Sequence, residues 1–382
     1  MFKCFLHKFG WDEMKVASII GTRPEIIKIA PLLPGLDLCY DHKLIHTGQH
    51  SDYYMRELFF KQLNLRDPDY KLECGEIDSS KRIGCMLTEV DEALKLEKPD
   101  VCIVLGDTNS TLAGSLVASK RHIPLIHVEA GLRSFDKNMP EEVNRIIVDH
   151  ISDVLLAPSP LASRNLMREG VTRNVFTTGN TAVDCCLKHL PQIREDRTAE
   201  SLGLNVNEYV VVTVHRESNT REENIQNIFK ALGRLQDIPM VFPVHPRTKQ
   251  SLIDYGIWEA LSQDNLKIIN PLGYIEFLNL MLNAKFVLTD SGGVQEEAVT
   301  LKVPCLTLRE NTERWETVKI GANRLIGLNP DRVVSEVRKA WNDDEWKKKL
   351  NALENPYGNG DASNKIISII KHYFPVSKIT AI

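Results

Sequence analysis

The chain has 382 residues, 43% of them hydrophobic and 26% charged, with a formal net charge of −4. That length exceeds what one core of usual size fills and suits two domains, and the composition is that of a soluble globular protein. A slightly acidic balance with no long basic stripe disfavours nucleic acid as a partner, and no apolar run is long enough to span a bilayer.

In chain order, Met1 to Glu13 mixes charges with Phe and Trp, lacks a continuous apolar core, and reads as an extension rather than a signal peptide. Short apolar runs then predict strands at Val16–Ile20, Lys43–His46, Val101–Leu105, Pro124–Val128 and Val154–Leu156. The polar stretch from Leu187 to Glu208, with Pro191 and a charged segment at Arg194 to Arg197, reads as a linker. A second set of strands follows at Tyr209–Val214, Met240–Val244, Leu266–Ile269, Phe286–Leu288 and Cys305–Leu308. Several runs are nearly all apolar, as strands buried on both faces should be. Their alternation with amphipathic helices predicts an α/β protein with doubly wound parallel sheets. A last amphipathic helix is expected over Asn364–Phe374. The eight cysteines show neither a C-x-x-C pair nor zinc spacing, so a reducing cytoplasm is the expected compartment.

In open α/β sheets ligands bind beyond the carboxyl ends of the strands, and the reactive residues of this chain fall there. The run Asp290-Ser291-Gly292-Gly293-Val294-Gln295-Glu296-Glu297 follows an apolar strand and opens a helix. Two glycines allow close backbone approach, Ser291 caps the helix, and its free N–H groups favour an anion, so a phosphate or pyrophosphate is expected there. Of Glu296 and Glu297, which point about 100° apart, only one should face the ligand and hold a ribose diol. After the first strand come Gly21-Thr22-Arg23-Pro24 and Lys28, with Arg23 at a helix mouth. Further strand ends carry Gly106-Asp107-Thr108, Glu129-Ala130-Gly131, His215-Arg216 and His245-Pro246-Arg247. Asp107 alone is as readily a helix cap as a catalyst, and each histidine alone is as readily a satisfied core residue. Glu129, directly after an apolar strand, needs a partner or a raised pKa. Pro140-Glu141-Glu142 supplies another carboxylate pair, which could equally serve the helix dipole. Arg314, after the last strand, suits a second phosphate or a sugar hydroxyl. Two such sets point to one cleft between two domains. Neither a dinucleotide fingerprint, a Walker loop nor a hydrolase elbow is present.

Together GTRPEIIK at Gly21, GDTNSTLAG at Gly106, HVEAGLRS at His127, MPEEVNR at Met139, TGNTAVD at Thr178, DSGGVQEEA at Asp290 and NPYGNGDAS at Asn355 resemble the non-hydrolysing UDP-N-acetylglucosamine 2-epimerases. The resemblance runs from about Lys15 to the C-terminus. It implies a glycosyltransferase-B-like architecture: a Rossmann-like domain over residues 1–186, a UDP-binding domain over 187–363, and a final helix within 364–382 returning to the first domain. It implies Asp107, Glu129, Glu141 and His215 as catalytic residues. Arg23, Lys28, His245, Leu272, Phe277, Ser291, Gly292, Gly293, Glu297 and Arg314 follow as substrate-binding residues, with Leu272 and Phe277 near the uracil. No metal or cofactor is implied, and a homodimer is. Ser218 stands where the family often has Glu, and Cys85 where some relatives carry Arg near a second, activating site that Gln49 and His50 partly match.

The expected chemistry explains the carboxylates. C2 of a UDP-N-acetylhexosamine has no adjacent carbonyl, so inversion there calls for elimination of UDP to 2-acetamidoglucal and re-addition with a proton on the other face. Competing expectations are a 2-epimerase for a diacetamido-uronate UDP-sugar, with Arg247 or Arg133 meeting the uronate, a hydrolysing epimerase, and a nucleotide-sugar sensor without catalysis.

Overall fold

The nearly all-apolar runs become the central strands of two parallel sheets. The computed structural model describes residues 12–49, 53–74, 79–261, 264–375 and 377–378. Contacts divide the chain into one unit of Met1–Cys185 with Tyr357–Ile382 and a second of Cys186–Pro356.

The first unit pairs β1 (Asp12–Glu13) antiparallel with β15 (Ser377–Lys378). Its main sheet contains β2 (Lys15–Ile20), β3 (Asp41–His46), β4 (Tyr70–Lys71), β5 (Val101–Leu105), β6 (Leu125–Val128), β7 (Val154–Ala157) and β8 (Val175–Thr177). The spatial order is β4-β3-β2-β5-β6-β7-β8. The chain therefore winds outward on one side of β2 and then returns to β5 on the other, the doubly wound pattern whose switch point lies between these two strands. β5 is buried along its whole length. Ala17, Ile19, Cys102 and Val104 join Leu112, Val117 and Val148 in one apolar cluster. Register pairs Ile19 with Val104 and Leu105 with Val128. Gly21, Gly106 and Glu129, each directly after its strand, thus emerge side by side at the carboxyl edge.

The second unit repeats the plan. Its strands are β9 (Val210–Thr213), β10 (Met240–Pro243), β11 (Leu266–Ile269), β12 (Phe286–Thr289), β13 (Cys305–Thr307) and β14 (Asn323–Leu325), ordered β11-β10-β9-β12-β13-β14. Thr213 pairs with Thr289 at the switch point, so the loops after His215 and Asp290 leave the sheet together. The stretch expected as a linker carries the helices Leu190–Glu195 and Thr198–Ser201. Asn279 ties both to the second unit: its Nδ2 donates to Ile193 O and Asp196 O, and its Oδ1 accepts from Ala199 N.

The C-terminal helix, Ala362–Tyr373, buries Ala362, Ile366 and Ile370 in the first unit. Asp184 receives the N–H groups of Ala362 and Ser363 at 3.2 and 2.7 Å. A Cβ on Gly35 would lie 2.9 Å from Ile367, so glycine lets this helix sit close on the helix Leu33–Cys39. The structure joins Cys74 to Cys85, with Cα atoms 5.6 Å apart. Met1–Trp11 and His50 lie outside the described residues.

Candidate active site

In the first unit the site grows from the switch point. Lys28, on the helix Arg23–Ile29, reaches Glu129 at 2.8 Å, and both side chains are less than a tenth exposed. The carboxylate at the end of β6 thus has the partner its burial demands. Gly106 makes room for this pair: its φ is +73°, and a Cβ there would lie 3.2 Å from Lys28 Nζ. Glu129 itself adopts φ +76°, the left-handed region that costs a residue with a side chain about 1–2 kcal/mol. Donation of Glu129 N and Ala130 N to Leu156 O, at 3.0 and 3.1 Å, pins that turn.

Asp107, half-buried, pairs with Arg145 from the helix Pro140–Ile151. Asn144 of the same helix donates to the Asp107 carbonyl at 2.9 Å. The neighbouring glutamates of that helix are separated by their surroundings. Glu142 is buried against Arg145 and the N–H groups of Ser134 and Phe135, whereas Glu141 is half-buried. Arg23, also half-buried, opens the helix that carries Lys28.

Two further buried groups shape this corner. Glu25 Oε2 accepts from Gly21 N and Thr22 N at 2.8 Å each, and its Oε1 accepts from the Thr108 and Thr111 hydroxyls at 2.6 and 2.8 Å. It staples the Arg23 loop to the Asp107 loop. Burial pushes its carboxyl above the usual range, against the pull of these donors. His127 lies between the Gly106 carbonyl, at 2.8 Å from Nε2, and Asp149, at 2.6 Å from Nδ1. Burial raises the Asp149 carboxyl, but His127 and Arg133 outweigh it and hold the group below its ordinary value.

In the second unit the helix Gly292–Thr300 starts at the switch point with Ser291 as its cap, the Ser291 Oγ accepting from Val294 N. A Cβ on Gly292 would run into Glu313 Oε1, while one on Gly293 would find Ser291 Oγ, 4.0 Å away, as its nearest neighbour. Gly292 therefore serves packing, and Gly293 leaves the amide face open. Asp290 accepts from His215 N and Arg216 N, which locks the β9 and β12 loops together. The rings of His215 and His245 lie 5.8 Å apart. His245 Nδ1 accepts from Arg247 N at 3.2 Å, which places the proton of its neutral ring on Nε2. Glu313 is surrounded by Arg309, Arg216 and Arg314, at 2.7, 3.3 and 3.8 Å. Arg314 also pairs with Glu296. Glu297 is 8% exposed, and Leu272 and Phe277 are half-buried at the start of the helix Tyr274–Leu282. The arrangement joins helix N–H groups, two imidazoles and a carboxylate, the functions a ribosyl diphosphate calls for.

A profile of the family described as UDP-N-acetylglucosamine 2-epimerase matches residues 38–371. The chain belongs to this family. The UDP-N-acetylglucosamine 2-epimerase of Methanocaldococcus jannaschii is 45% identical over 369 residues, covering 94% of this chain and 99% of that protein. The crystal structure of the M. jannaschii UDP-GlcNAc 2-epimerase in complex with UDP-GlcNAc and UDP superposes with a TM-score of 0.88, over 94% of this chain and all of the other. The UDP-2,3-diacetamido-2,3-dideoxy-D-glucuronate 2-epimerase of Pseudomonas aeruginosa is 38% identical over 363 residues, 92% of this chain and 98% of that one. Like these epimerases, the chain has two Rossmann-like domains of the glycosyltransferase-B type.

The first unit brings Lys28, Asp107 and Glu129 to one corner; the second gathers His215, His245 and the Ser291 helix at another. Arg133, expected as a cation for a uronate, is unavailable for it: it is 1% exposed and paired with Asp149 and Glu169, both at 2.7 Å. Sequence reading passed over Glu25, His127 and Arg145. The Thr22-x-x-Glu25 spacing of a capping box was a signal for the first; the others depend on contacts across the fold.

Proposed function

We propose that this epimerase-family chain interconverts UDP-GlcNAc and UDP-ManNAc without net hydrolysis, by eliminating UDP to 2-acetamidoglucal and adding it back. The reading gives the second unit the nucleotide and the first unit the proton transfers. A base takes the C2 proton, the C2–H electron pair becomes the C1–C2 double bond, and the C1–O pair leaves with UDP. Re-addition delivers a proton to the opposite face of C2 and reforms the C1–O bond. The observation that carries it is the clustering of Asp107 and the buried Lys28–Glu129 pair at the first switch point, in a chain 45% identical to a named UDP-GlcNAc 2-epimerase.

In this reading Asp107, Glu129 and Glu141 exchange protons. Arg23, His215 and the amides of Gly292 and Gly293 stabilise the leaving diphosphate, with Ser291 and His245 beside them. Glu297 holds the ribose, Leu272 and Phe277 flank the uracil, and Arg314 adds a further ligand contact. The product supplies cell-surface glycan synthesis, the compartment is the cytoplasm, and the assembly is a homodimer.

The 38% identity to a diacetamido-uronate epimerase supports a second substrate, for which exposed Arg247 remains the cation at hand. Proton NMR with UDP-GlcNAc in D₂O separates the cases. Deuterium at C2 with UDP-ManNAc is expected. UDP with free ManNAc would mean hydrolysis, and no exchange with UDP-GlcNAc but turnover of the diacetamido-uronate would select the second substrate.

A further inference from the structure

The helix Pro140–Ile151 grips Asp107 twice. Asn144 Nδ2 holds its carbonyl at 2.9 Å, and Arg145 Nη1 pairs with its carboxylate. Arg145 is 1% exposed and cannot swing freely. Its Nε and Nη2 both donate to Glu142 Oε2, at 2.9 and 2.6 Å, and its Nη2 touches Met139 Sδ at 3.3 Å. Glu142 is fixed in turn by Ser134 N and Phe135 N, at 3.0 and 2.8 Å. The plane of the guanidinium is thus set from behind, with Nη1 turned toward the switch point.

Other charged groups are carried by the elements around the Asp107 turn. Lys28 and Glu129 neutralise one another at 2.8 Å. Glu25 takes the Thr108 hydroxyl, and His127 Nε2 takes the Gly106 carbonyl. Arg23 heads the helix of Lys28, and Glu141 sits one residue before Glu142.

We propose that Arg145 is a positioning residue that holds Asp107 as a carboxylate, making Asp107 the group that accepts the C2 proton. A guanidinium does not release its proton at any working pH, so Asp107 enters the reaction as a carboxylate, whereas the Lys28–Glu129 pair can exchange a proton. Asp107 takes the proton as the C1–O bond breaks and UDP departs with the electron pair. The inference rests on the 2-epimerase reading for its chemistry, though not for the pairing itself.

Two measurements test it. In the wild-type chain, the ¹³C carboxyl signal of Asp107, identified by its loss in Asp107→Asn, should titrate below the ordinary carboxylate value of ~3.9. A midpoint at or above that value overturns the pairing. In Arg145→Gln, kcat should fall about 10²-fold with KM changed less than about threefold, and the acidic limb of the kcat profile should rise by about one pH unit or more. Arg145→Lys should restore the limb in part. A lower kcat with the limb unmoved would reduce Arg145 to a structural role. A wild-type chain that does not turn over UDP-GlcNAc would fail the functional reading, while the carboxyl titration still decides the pairing.

Discussion

Gly292 and Gly293 stand side by side in the first turn of one helix, yet their replacement by alanine should have opposite consequences. At Gly292 the new methyl meets Glu313 Oε1, which Arg216 and Arg309 hold at 3.3 and 3.4 Å while Arg309 also grips Oε2 at 2.7 Å. Neither can retreat without breaking a buried pair, so overpacking of about 1–3 kcal/mol is expected. At about 2–4 °C per kcal/mol for a domain of 150–250 residues, Gly292→Ala should melt roughly 2–12 °C lower. At Gly293 the nearest atom is Ser291 Oγ at 4.0 Å, so the fold accepts the methyl, and helix propensity adds a few tenths of a kcal/mol to about one. The methyl nevertheless stands over the amide face where phosphate would lie. Loss of one charge-assisted hydrogen bond, about 1.5–3 kcal/mol, weakens UDP binding by roughly 10- to 150-fold. Thermal melts and isothermal titration with UDP measure both quantities. A Gly293→Ala chain with wild-type melting and wild-type UDP affinity would refute the amide cradle.

Three further outcomes follow from the first unit. Lys28→Met leaves Glu129 buried without its cation and should cost about 3–5 kcal/mol in denaturant unfolding; adding Glu129→Gln should restore most of the stability and none of the turnover, and a single variant as stable as wild type counts against the pairing. Glu141→Gln should melt normally and lose about 10²–10⁴ in rate, while Glu142→Gln should melt lower by the cost of a broken buried network, about 1–3 kcal/mol; the reverse pattern in paired melts and assays would exchange their roles. Asp149 is held below its ordinary value of 3.8, so its stabilisation is complete above that pH and is lost as pH falls through the lower folded value. Asp149→Asn should therefore lower Tm at neutral pH and flatten its decline in acid, and parallel Tm–pH curves for the two chains would contradict this.

The central strands were legible because a strand covered on both faces must be apolar throughout. Val101–Leu105, buried at every position, was bounded correctly from sequence for that reason. Three edge strands escaped: Tyr70–Lys71, Val175–Thr177 and Asn323–Leu325 are short, mix in polar residues and are only partly buried; the edge strand Leu266–Ile269 was legible because three of its four residues are apolar. A similar divide runs through the site. Strand-end position singled out Asp107, Glu129 and Ser291, because loops leaving a carboxyl edge are visible as breaks in apolar runs. Their partners lie far along the chain, Lys28 and Glu129 being 101 residues apart and Asp107 and Arg145 being 38 apart. No local pattern encodes which cation meets which carboxylate. The same holds for the Cys74–Cys85 bond, whose spacing matches no recognised motif.

The return of residues 357–382 to the first unit fixes an order of assembly. During synthesis the second sheet, contained in Cys186–Pro356, has all its strands available while the earlier unit still lacks the partner for Asp184 and the strand that pairs with Asp12–Glu13. Domains emerge and fold as units from the ribosome, so the half begun first is the half finished last. A chain cut short near Ala362 would then present a completed second domain joined to an open first one, with the Leu33–Cys39 helix missing its cover.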